Sequence, residues 1–302
     1  MGSDPGFLVV GSHGRHALVE GQDGRRWHAH FRGRKAEAVV GDRVHFVPGQ
    51  GGEGVIEAVQ ERRNLLFRQD ELRTKRFAAN LDGLLMMLAT EPPFSEEQLT
   101  RTLIAAEQAS LPVTLVLNKA ELPAAATARS RLAPYRAMGV PVLELSLKHA
   151  KDQARAALGP LLRGKTTMLL GQSGMGKSTL VNLMVPDAQA QTGEISQALN
   201  AGRHTTTHTR WYWLDRAAGS VLIDTPGFQA FGLHHIAAGE LARCMPDLVP
   251  HLGQCRFHNC THRQEPGCAV RAAVGEGDGA TISAARYRLY LLIHEELSAT
   301  RW

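Results

Sequence analysis

A chain of 302 residues, 43% hydrophobic and 21% charged, is long enough for two or three domains that each bury a core. No apolar run approaches the roughly 20 residues that cross a bilayer, which argues against a helical membrane protein. The net charge of +5 is spread as +1, +4, 0 and 0 over residues 1–64, 65–165, 166–232 and 233–302. Charge alone therefore does not separate an ordinary, mildly basic surface from one that binds nucleic acid.

Within an expected domain of residues 1–64, residues 7–62 read as short strands broken by glycine: FLVVG, RHALVEG, RRWHAHF, DRVHFVP and EGVIEAV. Five strands without a helical pattern predict a small all-β barrel of the OB-fold type. In RRWHAHFR, Trp27, Ala29 and Phe31 alternate with Arg26, His28, His30 and Arg32, so one face packs the core and the other carries cations and imidazoles. That outer face is either a solvated surface or an oligonucleotide-binding one. The opening MGSDPGFLVV lacks a basic segment followed by an apolar one, so no secretion signal is expected and the cytoplasm is the expected compartment.

From residue 65 to 232 strands alternate with helices. LDGLLMMLA, PVTLVL, PVLELS and TTMLL read as strands, with helices over 96–110 and around 126–138. RWYWL and SVLID, joined by DRAAG, read as an antiparallel pair. The alternation predicts an α/β domain with a mostly parallel sheet. Within it GQSGMGKS (171–178) fits G-x-x-x-x-G-K-[ST] between a strand and a helix, which is the context a phosphate loop requires. Gly171, Gly174 and Gly176 let the backbone wrap a phosphate. Gln172, Ser173, Met175 and Thr179 complete the loop and first turn. Lys177 would reach the β- and γ-phosphates, and the Ser178 hydroxyl would ligate Mg²⁺.

SVLIDTPGF places Asp224 at the end of a buried strand, in position to hold Mg²⁺, and Gly227 where its amide can approach a γ-phosphate. Between these motifs lies GRHTTTHTR, where one of Thr205, Thr206 and Thr207, with Thr206 favoured, would complete the Mg²⁺ shell. Phe228 stands where a water-positioning glutamine would be useful, so weak intrinsic hydrolysis is expected. His204 is either the catalytic stand-in or a solvent-exposed loop histidine. Upstream, TLVLNKAEL ends a strand in Asn118-Lys119-Ala120-Glu121, and LELSLKHA carries Ser146-Leu147-Lys148. A carboxylate accepting from guanine N1 and N2, with an amide donating to O6, would select guanine over adenine.

Residues 233–302 are expected to form a mainly helical module around a metal. Three of the four cysteines crowd into GQCRFHNCTHRQEPGCAV, as C-x4-C-x-H-x5-C. Cys255, Cys260, His262 and Cys268 suit a tetrahedral structural Zn²⁺ in a reducing compartment, with His258 an alternative to His262. Cys244 reads as a buried or free thiol. In ISAARYRLYLLIHEEL, Ile282, Ala285, Leu289, Leu292 and Ile293 form the expected buried stripe.

The order NKAE, SLK, GQSGMGKS, HTTT, DTPG, between a barrel and a cysteine cluster, resembles the circularly permuted GTPases of the RsgA/YjeQ family over essentially the whole chain. The resemblance implies that Asn118, Lys119 and Glu121 read guanine, assisted by the Leu147 amide. Glu121 departs from the Asp of the family pattern. The resemblance also favours His262 over His258 as the zinc ligand, and implies a monomeric GTPase that binds the small ribosomal subunit through its 16S rRNA, assists late maturation and is stimulated by the subunit. Rival readings are a P-loop ATPase or kinase with a coincidental NKAE, and an RNA-binding module that nucleotide merely stabilises.

Overall fold

The computed structural model describes residues 6–13, 16–31, 37–185, 188, 209–225, 231–275 and 281–299. Strands β1 (Phe7–His13), β2 (His16–Glu20), β3 (Arg26–Phe31), β4 (Arg43–Pro48) and β5 (Glu53–Val59) close into a barrel in the order β1-β2-β3-β5-β4. Only the β3–β5 ladder is parallel, the arrangement of an OB-fold. Alternation along β3 points Trp27 and Ala29 inward and His28 and His30 outward. Phe7 packs edge-on against both Trp27 and Phe46, with ring centroids at 5.3 and 4.9 Å.

The barrel also lends apolar groups to the rest of the protein. Val10, Leu18 and Val40 are buried in the core that contains Leu66 and Leu81. A hairpin of β6 (Leu65–Gln69) and β7 (Thr74–Ala79) lies at this junction and bridges to Val40 on one side and to Leu233 on the other. The strand pattern of the sequence does not foretell this hairpin.

The central sheet has the order β10-β9-β8-β11-β13-β12. Its members are β8 (Gly83–Ala89), β9 (Val113–Asn118), β10 (Val142–Leu145), β11 (Thr166–Leu170), β12 (Arg210–Asp215) and β13 (Ser220–Asp224). All neighbours run parallel except the β12–β13 pair at one edge. Six of the seven residues of β8 are buried, as a central strand covered on both faces requires. Helices α1 (Glu96–Gln108), α2 (Ala125–Ala137), α3 (Lys151–Leu162) and α4 (Lys177–Met184) connect the strands. Ser95 caps α1 by accepting from the Gln98 amide at 3.2 Å, and Glu96 and Glu97 complement the helix dipole in its first turn.

Beyond residue 231 the chain forms two short 3₁₀ turns, the cysteine cluster, α5 (Ala269–Ala272), a small parallel pair β14 (Val274–Gly275) and β15 (Ile282–Ser283), and α6 (Ala284–Ser298). The expected stripe on α6 needs correction. Leu292 is exposed, and the buried positions of the helix are Arg286, Tyr290, Ile293 and His294. The inner face carries a cation because it meets polar groups: Arg286 donates twice to Asp247, at 3.0 and 2.9 Å, and once to Thr100 Oγ1 at 2.7 Å. Its guanidinium also lies 5.3 Å from the centre of the Tyr135 ring.

Glu20, only 3% exposed, ties the barrel to the edge of the sheet. It accepts from Arg26 Nε at 2.8 Å, from Trp213 Nε1 at 3.0 Å and from Arg216 Nη1 at 2.6 Å. Both oxygens of the buried carboxylate are occupied by donors, which offsets their removal from water. Glu20→Ala should leave the partly buried Arg26 and Trp213 donors unmatched and lower stability by about 1–3 kcal/mol. Arg216→Ala, at a half-exposed position, should cost less than about 1 kcal/mol. The midpoints of urea denaturation report both.

Candidate nucleotide site and metal centre

Because β10, β9, β8, β11 and β13 run in one direction, the loops after them emerge along one edge of the sheet. The loop after β11 is the glycine-rich one. Gly171, Gly174 and Gly176 have φ of 145°, 80° and 103°, and a Cβ at Gly171 would lie 2.6 Å from the Met87 carbonyl oxygen. Such backbone excludes side chains and leaves a concave run of amides at the start of α4. Lys177 Nζ donates to the Gly171 and Gln172 carbonyls at 2.6 and 2.8 Å. Ser173 and Ser178 are exposed or half-buried with Gln172 and Thr179 around the loop, and Met175 turns its side chain into the core.

Asp224 closes β13 beside this loop, in register with Leu169 of β11. Thr225 Oγ1 donates to the Leu169 carbonyl at 3.1 Å and fixes the strand end. Burial pushes the Asp224 carboxyl up against the pull of Lys177 and Arg210, and burial pushes the Lys177 ammonium down against Asp224. Among the described residues Asp224 Oδ1 is buried with no hydrogen-bond partner. A buried oxygen left unmatched beside an ammonium and an amide cradle is the donor chemistry that Mg²⁺ and a nucleotide phosphate would satisfy.

The loop after β9 meets the phosphate loop directly. Asn118, 4% exposed, donates through Nδ2 to the Met175 carbonyl at 3.0 Å, and its Oδ1 accepts from the Leu147 amide at 3.2 Å. One side chain thus holds together three loops that are far apart in sequence. Lys119 adopts φ +59°, and the Thr90 hydroxyl braces that turn by donating to the Lys119 carbonyl at 3.1 Å. The Lys119 Nζ donates to the Glu91 carbonyl. Ala120 donates to the Leu145 carbonyl at 3.1 Å, which fixes Glu121 opposite the 146–149 loop. Burial is outweighed at Glu121 by its own amide, Ser146, His149 and Lys119, so its carboxyl sits below the usual range. Lys148 is exposed. Gly227, His204 and Thr206, together with Thr205, Thr207 and Phe228, lie outside the described residues.

Three contributors escape a reading by motif. Thr90 and Glu91 brace Lys119 from the loop after β8, and His149 Nε2 stands 3.7 Å from Glu121 Oε1. His149 is visible in the sequence as the residue following Ser146-Leu147-Lys148, and only the register of β9 on β10 brings it to Glu121.

In the C-terminal module one ligand atom from each of Cys255, Cys260, His262 and Cys268 lies within 4.8 Å of the others. His262 Nδ1 is 3.5 Å from both Cys255 Sγ and Cys268 Sγ, which are 3.9 Å apart. A tetrahedron with Zn–S near 2.3 Å and Zn–N near 2.05 Å has edges of about 3.6 Å for S–N and about 3.8 Å for S–S, so the donor set fits zinc. His262 takes φ +58° to turn its ring inward, whereas His258 is exposed. The amides of Ala269 and Arg271 point at the sulfurs of Cys255 and Cys268, both at 3.4 Å. Tyr287 and Tyr290 donate to the carbonyls of His262 and Thr261 at 2.7 Å each. These contacts hold the ligands from outside. Cys244 lies apart and buried, accepting from Gln108 Nε2 at 2.8 Å, and burial raises its thiol.

Asn118→Ala should destabilise the protein even without nucleotide, by about 1–3 kcal/mol for its two buried hydrogen bonds, as read from thermal unfolding. Elemental analysis should find one zinc per chain. His262→Ala should abolish it and His258→Ala should retain it, and a strong chelator should open the 250–275 region to protease.

The family model for the RsgA GTPase matches residues 59–234. The small ribosomal subunit biogenesis GTPase RsgA of Variovorax paradoxus is 55% identical over 297 residues, which is 98% of this chain and 93% of that protein. The protein of the same name from Burkholderia pseudomallei is 55% identical over 296 residues, with 97% and 93% covered. Among solved structures, YjeQ from Thermotoga maritima superposes with a TM-score of 0.72 at 28% identity over 98% of this chain and 99% of that one. YloQ, described as a circularly permuted GTPase, superposes at 0.70 with 25% identity over 99% and 97%. Matches of this extent accord with the permuted loop order and the cleft it builds, and the chain belongs to the RsgA GTPase family.

Proposed function

We infer that the protein binds GTP across the edge formed by the 118–121, 146–149, 171–178 and 224–227 loops, hydrolyses it to GDP and phosphate, and does so on the small ribosomal subunit during its maturation. The observation that carries the reading is the Asn118–Met175 hydrogen bond, which joins the candidate base loop to the phosphate loop across 57 positions. Asn118, Lys119, Glu121 and the Leu147 amide would contact guanine, Ser146 and Lys148 lying beside it. The amides of 171–179 and Lys177 would hold the phosphates. Ser178, Asp224 and Thr206 would hold Mg²⁺, which when bound supplies positive charge across the β- and γ-phosphates. Gly227 would approach the γ-phosphate, and His204 would orient the attacking water in place of the glutamine that Phe228 displaces.

The division 1–64, 65–232 and 233–302 assigns a separate role to each part. The barrel would lie against 16S rRNA, the permuted domain would turn over GTP, and the zinc module would also touch the subunit. The chain leaving the 226–230 segment is held at once. Gln69 pairs with Leu233 in a parallel bridge, donating to the Gly232 carbonyl and accepting from the His234 amide at 3.0 Å each, and Phe231 stacks edge-on with Phe77 at 5.5 Å. Movement at Asp224–Gly227 would therefore be felt by the hairpin and the module together. No helix among the described residues is long and apolar enough to cross a membrane. We propose a cytoplasmic monomer.

Co-sedimentation with purified small subunits should require a non-hydrolysable GTP analogue and weaken with GDP. Phosphate release should rise at least about tenfold when subunits are added. Lys177→Ala should abolish release in either case, and His204→Ala should remove the stimulated part. Equal competition by ATP, or no turnover with subunits present, would defeat the reading.

A further inference from the structure

The carboxylate of the proposed base site sits on a long side chain. Glu121 has three side-chain torsions and is about one-third exposed, so its backbone can be fixed while its acid wanders. The backbone is fixed. Ala120 donates to Leu145, Leu122 donates to Lys119 at 3.1 Å, and Arg129 Nη2 donates to the Ala120 carbonyl at 3.4 Å. What then selects the direction of the acid?

The neighbouring cations are mostly committed elsewhere. Lys119 turns its ammonium to the Glu91 carbonyl, and Arg129 pairs with Glu144 at 2.7 Å. His149 is different. It lies on the adjacent loop, which is stitched to the Glu121 loop by the Asn118–Leu147 bond and closed on itself by Ala150 donating to the Ser146 carbonyl at 2.9 Å. Its Nε2 faces Glu121 Oε1 at 3.7 Å, and its ring is otherwise open to solvent. The two loops that carry the base readers thus also carry this pair.

We propose that His149 is a positioning residue for nucleotide selectivity: by holding one oxygen of Glu121 it presents the acid to the N1–H and 2-amino donors of a guanine. The inference rests on the guanine reading above. An aspartate at position 121 would be too short to need or reach His149, so the effect of His149 should exist only while that position is glutamate.

The test is displacement of a fluorescent GDP by GDP, IDP and ADP from the wild-type chain, His149→Ala, His149→Gln, Glu121→Asp and the Glu121→Asp/His149→Ala double variant. His149→Ala should weaken GDP about two- to fivefold, the size of an exposed polar contact, and should weaken IDP less because IDP lacks the 2-amino group. His149→Gln, which keeps a donor, should recover most of the loss. In the Glu121→Asp background the same alanine should have almost no effect. Equal weakening of GDP and IDP, no weakening at all, or an undiminished effect in the Glu121→Asp background would each overturn the role of His149. A wild-type chain that binds ADP as well as GDP would instead overturn the guanine reading itself. His149 is exposed, so an unchanged thermal midpoint should accompany every His149 variant.

Discussion

The architecture depends on a directional constraint. Five adjacent strands of the central sheet run parallel, so all of their carboxyl ends open on one edge, and any loop placed there can contribute to a common cleft. Chain order is irrelevant to that geometry. The 118–121 loop can precede the 171–178 loop because β9 and β11 flank β8 on opposite sides, whichever is synthesised first. Asn118 then closes the cleft chemically, with a donor to one loop and an acceptor to another. An amide side chain suits this position because it offers both functions on adjacent atoms, without the desolvation cost of a buried charge.

Much of this is legible in the residues. The glycine loop, the buried strands and the cysteine cluster announce themselves because their chemistry leaves few alternatives: closely wrapped backbone demands glycine, and a tetrahedral thiolate site demands its ligands at short spacing. The β6–β7 hairpin escapes notice because half of TKRFAA is exposed and two of its six residues are charged, with an irregular register between Leu66 and Phe67, so it lacks clean alternation. The stripe on α6 misleads for the converse reason. Periodicity counts apolar residues, and the residue that enters the interior at position 286 is an arginine matched by groups from three other parts of the chain. Partners of that kind cannot be read from a single segment. Glu20 makes the same point: in RHALVEG it looks like a solvated strand end, yet it is buried under Arg26, Trp213 and Arg216, the last two 193 and 196 positions away.

The three parts share one continuous apolar core, crossed at a few places by buried polar contacts. Glu20 connects barrel to sheet, and Asp247, Arg286 and Thr100 connect the last helix to α1. Val10, Leu18 and Val40 contribute burial that is indifferent to direction, whereas the charged groups demand one geometry.

The place of Arg286 bears on how a shortened protein would behave. The guanidinium fills a notch whose walls are Thr100 on α1 and the ring of Tyr135 on α2, both belonging to the nucleotide domain. Cutting the chain ahead of residue 233 would remove that plug along with the cysteines, wetting a Thr100–Tyr135 pair that is otherwise dry. Impaired nucleotide turnover in a truncated protein would thus reflect a frayed rear face of the enzyme as readily as the loss of a ribosome contact. Replacing the cluster cysteines alone, with α6 left in its seat, separates the two.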